Sequence, residues 1–420
     1  MTRFSPQPRP PIPRTVWALG LVSLFMDVSS EMIHSLLPLF LTGTLGASVL
    51  LVGVIDGIAE STAAISKIFS GYISDKIGRR KPLLLFGYGL GAFTKPFFAI
   101  AGGPMVVLAA RFADRIGKGI RGAPRDALVA DVTPADIRGR AFGLRQSMDT
   151  IGAVAGPLLA VGLMALFASD IRAVFWVAVI PGLIAVLCVI FGVRDSRAEI
   201  AAQQTRAPPI DFTAIGRFSS TFWTVALIGV VFTLARFSEA FLVLKASQEG
   251  LPLVLAPLVL VVMNIVYSLC AYPAGAASDR LQAFHLLLAG LGALIAADLS
   301  LAFVPGLTGA FLGTALWGLH MALTQGLLSK LVADHAPAEL RGTAFGLFNL
   351  STGIAMLFAS VIAGLLWDRA GSAATFLAGA GFAALAALIV FAGRRRLHAP
   401  HRHSAQAPLP PAPASPKTTP

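Results

Sequence analysis

The chain has 420 residues, of which 56% are hydrophobic and only 13% charged, with a mean hydropathy of +0.76. So few charges cannot solvate a globule of that size, which excludes an ordinary soluble protein and points to a bilayer. The net charge of +12 would suit nucleic acid, but the Lys and Arg residues flank apolar runs, where they orient spans and meet anionic lipid; no nucleic-acid partner is expected.

Crossing the hydrocarbon takes about 20 apolar residues as helix. Twelve stretches qualify, at roughly 15–42, 47–73, 82–101, 104–130, 141–168, 171–193, 221–245, 252–277, 284–303, 305–332, 342–367 and 372–393. The apolar runs are continuous and do not alternate, which argues against outer-membrane strands. The expected class is an all-α membrane protein of twelve transmembrane helices in two pseudo-symmetric six-helix bundles. Residues 1–14 read as an N-terminal tail, 15–193 as the first bundle, 194–220 as a linker, 221–393 as the second bundle and 394–420 as a disordered tail rich in Pro, Ala and Ser. The first span is full length and carries charges, so no cleavable signal peptide is expected. Most Lys and Arg lie in both tails and in the connections after even-numbered spans, which places both termini in the cytoplasm of a cell-membrane protein.

In chain order, the first span sets Asp27, Glu31 and His34 on one face, at i, i+4 and i+7, and the second sets Asp56 and Glu60 at i, i+4. A carboxylate facing a cavity that alternates between sides can take up a proton on one side and release it on the other. Static pairing of Asp56 or Glu60 with Lys95 or Arg145 is an equal alternative. The loop after the second span holds Gly71, Asp75, Gly78, Arg79, Arg80 and Lys81. A glycine there would let helices approach, and Asp75 would meet helix N-termini or an Arg, holding the cytoplasmic ends together in one state. For the basic trio, topology anchoring is an equal alternative.

The fourth span carries Arg111, Asp114, Arg115 and Lys118 at i, i+3, i+4 and i+7, so one charged face must turn inward; neutralisation of Lys118 by Asp114 is the structural alternative. The fifth span contains Gly152, Gly156 and Pro157, a close-contact pattern followed by a bend. From the second half, Arg236, Glu239, Asn264, Tyr267, Asp298, His320, Gln325 and Asn349 are expected at a shared cavity, walled by Trp317 and Phe348. Cys188 and Cys270 sit in apolar spans, so neither a disulfide nor a metal thiolate is indicated.

The two halves repeat each other. Leu128-Val129-Ala130-Asp131, Arg138-Gly139 and Ala141-Phe142-Gly143-Leu144 return as Leu331-Val332-Ala333-Asp334, Arg341-Gly342 and Ala344-Phe345-Gly346-Leu347, displaced by 203 positions. Gly71 and Asp75 return as Gly275 and Asp279, followed by Arg280, and Glu31 has a counterpart in Glu239. Duplicated halves in a membrane protein indicate a carrier with its site between them.

The loop Gly71-Tyr-Ile-Ser-Asp75-Lys-Ile-Gly78-Arg79-Arg80-Lys81 resembles the signature loop of the major facilitator superfamily, and twelve spans in two halves match that family across nearly the whole chain. The resemblance implies a transporter, not an enzyme, needing no cofactor and no bound metal. Arg111 resembles the family's intramembrane arginine, associated there with proton transfer, and Gly152-Ala-Val-Ala-Gly156-Pro157 resembles the motif of its proton-antiport exporters. The expected function is a monomeric, proton-coupled exporter of a small molecule. A metal-ion or metalloid carrier using Asp27, Glu31 and His34 is the alternative, and a membrane scaffold or enzyme is remote, since no hydrolase or nucleotide motif is present.

Overall fold

A computed structural model describes residues 11–77, 79–195, 216–324, 326–337 and 340–397. Twelve helical rods follow one another: α1 (Arg14–Thr44), α2 (Val49–Ile77), α3 (Lys81–Ile100), α4 (Pro104–Asp131), α5 (Arg138–Leu166), α6 (Ile171–Gly192), α7 (Ser220–Gln248), α8 (Leu258–Arg280), α9 (Ala283–Phe303), α10 (Gly306–His335), α11 (Arg341–Ala370) and α12 (Ser372–Leu397). Eleven of them are long and apolar enough to cross a membrane; α4 falls short in composition because of its charges. The helix of α12 also continues through Arg394–Arg396, beyond the boundary expected at 393. Most of segment 194–220, the C-terminal tail and Gly78 lie outside the described residues.

Local sequence sets several boundaries. Pro82 and Pro104 occupy first-turn positions, where a missing N–H costs nothing. Asp170 caps α6 by accepting from Arg172 N and Ala173 N, and Ser219 caps α7 by accepting from Phe222 N. Three rods are interrupted: α1 after His34, α7 between Ala235 and Ala240, and α10 at Gly326, whose φ of +72° suits glycine.

The packing repeats with a shift of six helices. α1 packs on α5 and α6, α2 on α4, and α3 on α4 and α6; correspondingly α7 packs on α11 and α12, α8 on α10, and α9 on α10 and α12. Two seams join the halves, α2 against α11 and α5 against α8, and the same shift exchanges them. Small residues allow the first seam: a Cβ on Gly57 would stand 3.0 Å from the carbonyl oxygen of Leu357, and one on Gly364 2.7 Å from Leu50 Cα.

At the end opposite the chain termini, here the far end, Asp368 of α11 accepts from Val49 N at 3.2 Å and Leu50 N at 2.9 Å, so one half caps a helix of the other. There too the Leu37–Leu39 turn of α1 meets the Ala240–Gln248 segment of α7.

Candidate functional site

Three of the four inward charges of α4 are met by its neighbours within the first half. Its rotation is fixed by glycines: a Cβ on Gly117 would lie 2.6 Å from Gly87 O on α3, and one on Gly119 2.8 Å from Ala63 O on α2. So held, Asp114 pairs with Lys95 at 2.9 Å, Arg115 with Glu60 at 3.4 Å, and Arg111 with Asp56 at 3.3 Å. Lys95 also donates to Ser30 Oγ at 3.0 Å. These pairings replace two expectations. Asp114 serves Lys95 and not Lys118, and Asp56 and Glu60 take arginines of α4 in place of Lys95 or Arg145. Arg111, Asp114 and Arg115 are all buried, where an unpaired charge would be costly.

One contact carries this network across the seam. Oδ2 of Asp56 accepts from the hydroxyl of Ser238 at 2.7 Å, and Ser238 sits in the interruption of α7, where it also caps Ala240 N. Glu239, the next residue, faces Arg236 at 3.9 Å and lies within electrostatic reach of Glu31, His34 and Glu60.

A chamber of about 480 Å³ opens between the halves at mid-depth, with Asp27, Glu31, Lys67, Lys118 and Asp149 on its first-half wall and Asn264, Tyr267 and Met321 on the other. Asp27 and Asp149 lie carboxyl to carboxyl, and Glu31 faces His34 Nδ1 at 3.6 Å. The α5 glycines build this wall. A Cβ on Gly152 would fall 2.9 Å from Asp27 Cβ, and one on Gly156 2.8 Å from Glu31 Cβ, so these two positions bring α5 directly under both helix-1 carboxylates. Pro157 is buried within a continuous α5. Asn264 donates to Ala153 O at 3.0 Å and so serves the α5–α8 seam.

A second chamber of about 240 Å³ lies in the other half, lined by Arg236, Phe232, Phe348 and Met356, with Met321 shared between the two. Not every expected residue reaches a cavity. Asp298, His320 and Trp317 are completely buried in the packing of α7, α9, α10 and α12, and neither carboxylate oxygen of Asp298 is hydrogen bonded. Gln325 lies outside the described residues, and Asn349 is only partly buried.

In the loop after α2, Arg80 is buried, pairs with Asp131 at 3.4 Å, and hydrogen bonds Ser74. Its backbone N–H and that of Lys81 both donate to Asp195. The partners described for it thus tie α2, α4 and the end of α6 within the first half. Arg79 is exposed. Close approach is not what places glycine at 71, because a Cβ there would make only ordinary contact with Ala123 at 3.5 Å, and one at Gly275 would meet open space. The side chains of Asp75, Asp279 and Arg280 lie outside the described residues.

Asp149, Lys67 and Ser238 were not singled out by sequence. Asp149 had a signal: it stands three residues before Gly152 and seven before Gly156, on the face that α5 turns to α1. Among the described residues, no group of three or more His, Cys, Asp or Glu is placed to hold a metal ion.

A family model described as Major Facilitator Superfamily matches residues 19–359 and 310–419. A transporter of that type from Methanocaldococcus jannaschii is 28% identical over 383 residues, covering 90% of this chain and 94% of the relative. The class C tetracycline resistance protein of Escherichia coli is 30% identical over 329 residues, covering 71% of this chain and 78% of the relative. Among solved structures, a POT family transporter in complex with a thioalcohol-conjugated peptide superposes with a TM-score of 0.74 over 92% of this chain and 97% of that one; at 14% identity this shows the fold alone.

Proposed function

The chain belongs to the Major Facilitator Superfamily and is a multi-pass membrane transporter, not an enzyme; on that basis we propose that it exports a small molecule in exchange for protons. Transport proceeds by rocking α1–α6 against α7–α12 around the 480 Å³ chamber. The observation that carries this reading is the contact of Asp27 with Asp149 in the wall of that chamber. Two adjoining carboxylates repel, and one proton between them replaces repulsion with a hydrogen bond. A proton can therefore be loaded from whichever side the chamber faces and displaced when cargo arrives.

The α4 network supports the rocking. Arg111, Asp56 and Ser238 form a continuous polar chain from the first half to the break in α7, so the state of one half is felt at the hinge of the other. With the Asp368 cap, this chain closes the far end in the present state. We read the loop around Asp75 as a latch that engages the second half only when the terminal end closes.

Export is supported by the resemblance of Gly152-Ala-Val-Ala-Gly156-Pro157 to the motif of proton-antiport exporters. It is supported too by relatives named for tetracycline resistance in Escherichia coli and multidrug resistance in Edwardsiella ictaluri. The flanking positive charge supports cytoplasmic termini, and with them a cell-membrane carrier, and one pair of bundles is sufficient for a monomer to work. The smaller chamber beyond Met321 gives room for an apolar part of the cargo. Reconstitution in liposomes with an internal pH dye tests the reading. Addition of a transported molecule should move protons the opposite way, and accumulation without proton movement would contradict it.

A further inference from the structure

We infer, resting on the reading of the chamber as the transport site, that the cargo is a small zwitterion: its anionic group is taken by Lys67 and Lys118, and its cationic group by the Asp27–Asp149 pair. Four cationic and three acidic side chains line the chamber, and most are already engaged. Arg125 is held by Asp126 at 3.2 Å and Asp149 at 3.8 Å. Arg121 is buried over the ring of Tyr88, 4.6 Å from its centroid, and Glu31 faces His34. Lys67 and Lys118 differ: both are exposed to the chamber, and neither has an ion-pair or hydrogen-bond partner among the described residues.

The two lysines converge. The Lys67 side chain runs along Gly122, with its Cε 3.7 Å from where a Cβ would stand, and Lys118 precedes Gly122 by one helical turn on the same face of α4. Two ammonium groups so placed fit a carboxylate or phosphate, and among the described residues the second half lines the chamber with no acidic side chain that would neutralise them. An anion alone, however, would be drawn in more strongly once the carboxyl pair gained its proton, so it would travel with protons and not against them. Exchange requires cargo and proton to compete for one place. A cationic group on the cargo does this at Asp27: Asp149 is already faced by Arg125 at 3.8 Å and Arg145 at 3.7 Å, so Asp27 is the carboxyl of the pair that the proton and the cargo's cationic group contest. The lysines and the carboxyl pair line the same chamber, with Lys118 in electrostatic reach of both aspartates, so one small molecule can meet both.

The test uses the full chain in nanodiscs and three series of probes, built on an aromatic, an aliphatic and a fused-ring body. Each series contains a zwitterion, its amide cation and its deaminated anion, such as phenylalanine, phenylalanine amide and 3-phenylpropionate. Calorimetry or thermal shift should find a zwitterion binding tightest in at least one series. Replacing both lysines, Lys67→Gln with Lys118→Gln, should weaken it roughly ten- to a hundredfold and leave the cation bound at least as tightly as before. Asp27→Asn should weaken zwitterion and cation alike and strengthen the anion. Lys118→Arg should preserve binding, which shows that charge and not mere packing is read. Tighter binding of a cation or anion than of every zwitterion, no binding by any zwitterion, or indifference to the double lysine change would overturn the inference. Zwitterion binding without pH-driven transport would instead sink the transport reading and leave this one standing.

Discussion

Ser238 donates its hydroxyl to Asp56 at 2.7 Å across the seam between the two six-helix halves. The same carboxylate holds Arg111 of α4 at 3.3 Å, so the two substitutions at this contact should behave differently. Ser238→Ala removes the bond that crosses the seam, where a hydrogen bond to a charged group contributes about 1.5–3 kcal/mol, together with the cap on Ala240 N inside α7. Spin labels on the far ends of α2 and α11 should then show a larger population of long distances. Asp56→Asn leaves Arg111 buried without a carboxylate and should destabilise the protein by about 3–5 kcal/mol, read as a lowered thermal midpoint. Equal effects of the two changes would mean that the chain does not couple the halves.

Gly156 offers a second test, because a Cβ there would collide with Glu31 Cβ and Val28 O on α1. Gly156→Val should cost about 1–3 kcal/mol of stability through overpacking and sharply reduce transport by moving the helix-1 carboxylates. Gly143, on the same helix with open space around it, is the control. Gly143→Ala should leave transport intact, and its helix propensity should if anything stabilise the protein. Identical transport by both variants would remove the α5 glycines from the site.

At the far end, Asp368 caps α2 from α11. Losing a helix cap costs about 0.5–2 kcal/mol, and here the cost falls only on the closed state. Asp368→Ala should therefore increase labelling of a far-end cysteine by a membrane-impermeant thiol reagent added from that side. Unchanged labelling would show that the cap does not bias closure.

Architecture was legible because it is written in repeats and periods. The return of Leu128-Val129-Ala130-Asp131 at 331–334 announced two halves, and the i, i+3, i+4, i+7 charges of α4 could only face inward. What sequence could not supply was the partner of each charge. Asp114 finds Lys95 because α3 and α4 cross at Gly87 and Gly117, and a rotation set by two glycines leaves no periodic trace in the charged residues. Likewise Asp298 and His320 carried the same polar signal as Asn264, yet they are packed inside the second half while Asn264 reaches the chamber. The interruption that holds Ser238 contains neither proline nor glycine, so the residue joining the halves gave no warning.

The most direct test of proton exchange at the carboxyl pair is pH-driven accumulation in liposomes carrying Asp27→Asn or Asp149→Asn. Each change removes one of two adjoining carboxyls and with it the proposed place of the shared proton. Both variants should insert and fold, and both should lose accumulation against a gradient driven by a pH difference; whatever downhill exchange survives measures how far the pair also holds cargo. Full pH-driven accumulation by both variants would contradict the account, because the pair would then be structural and the proton would have to travel elsewhere.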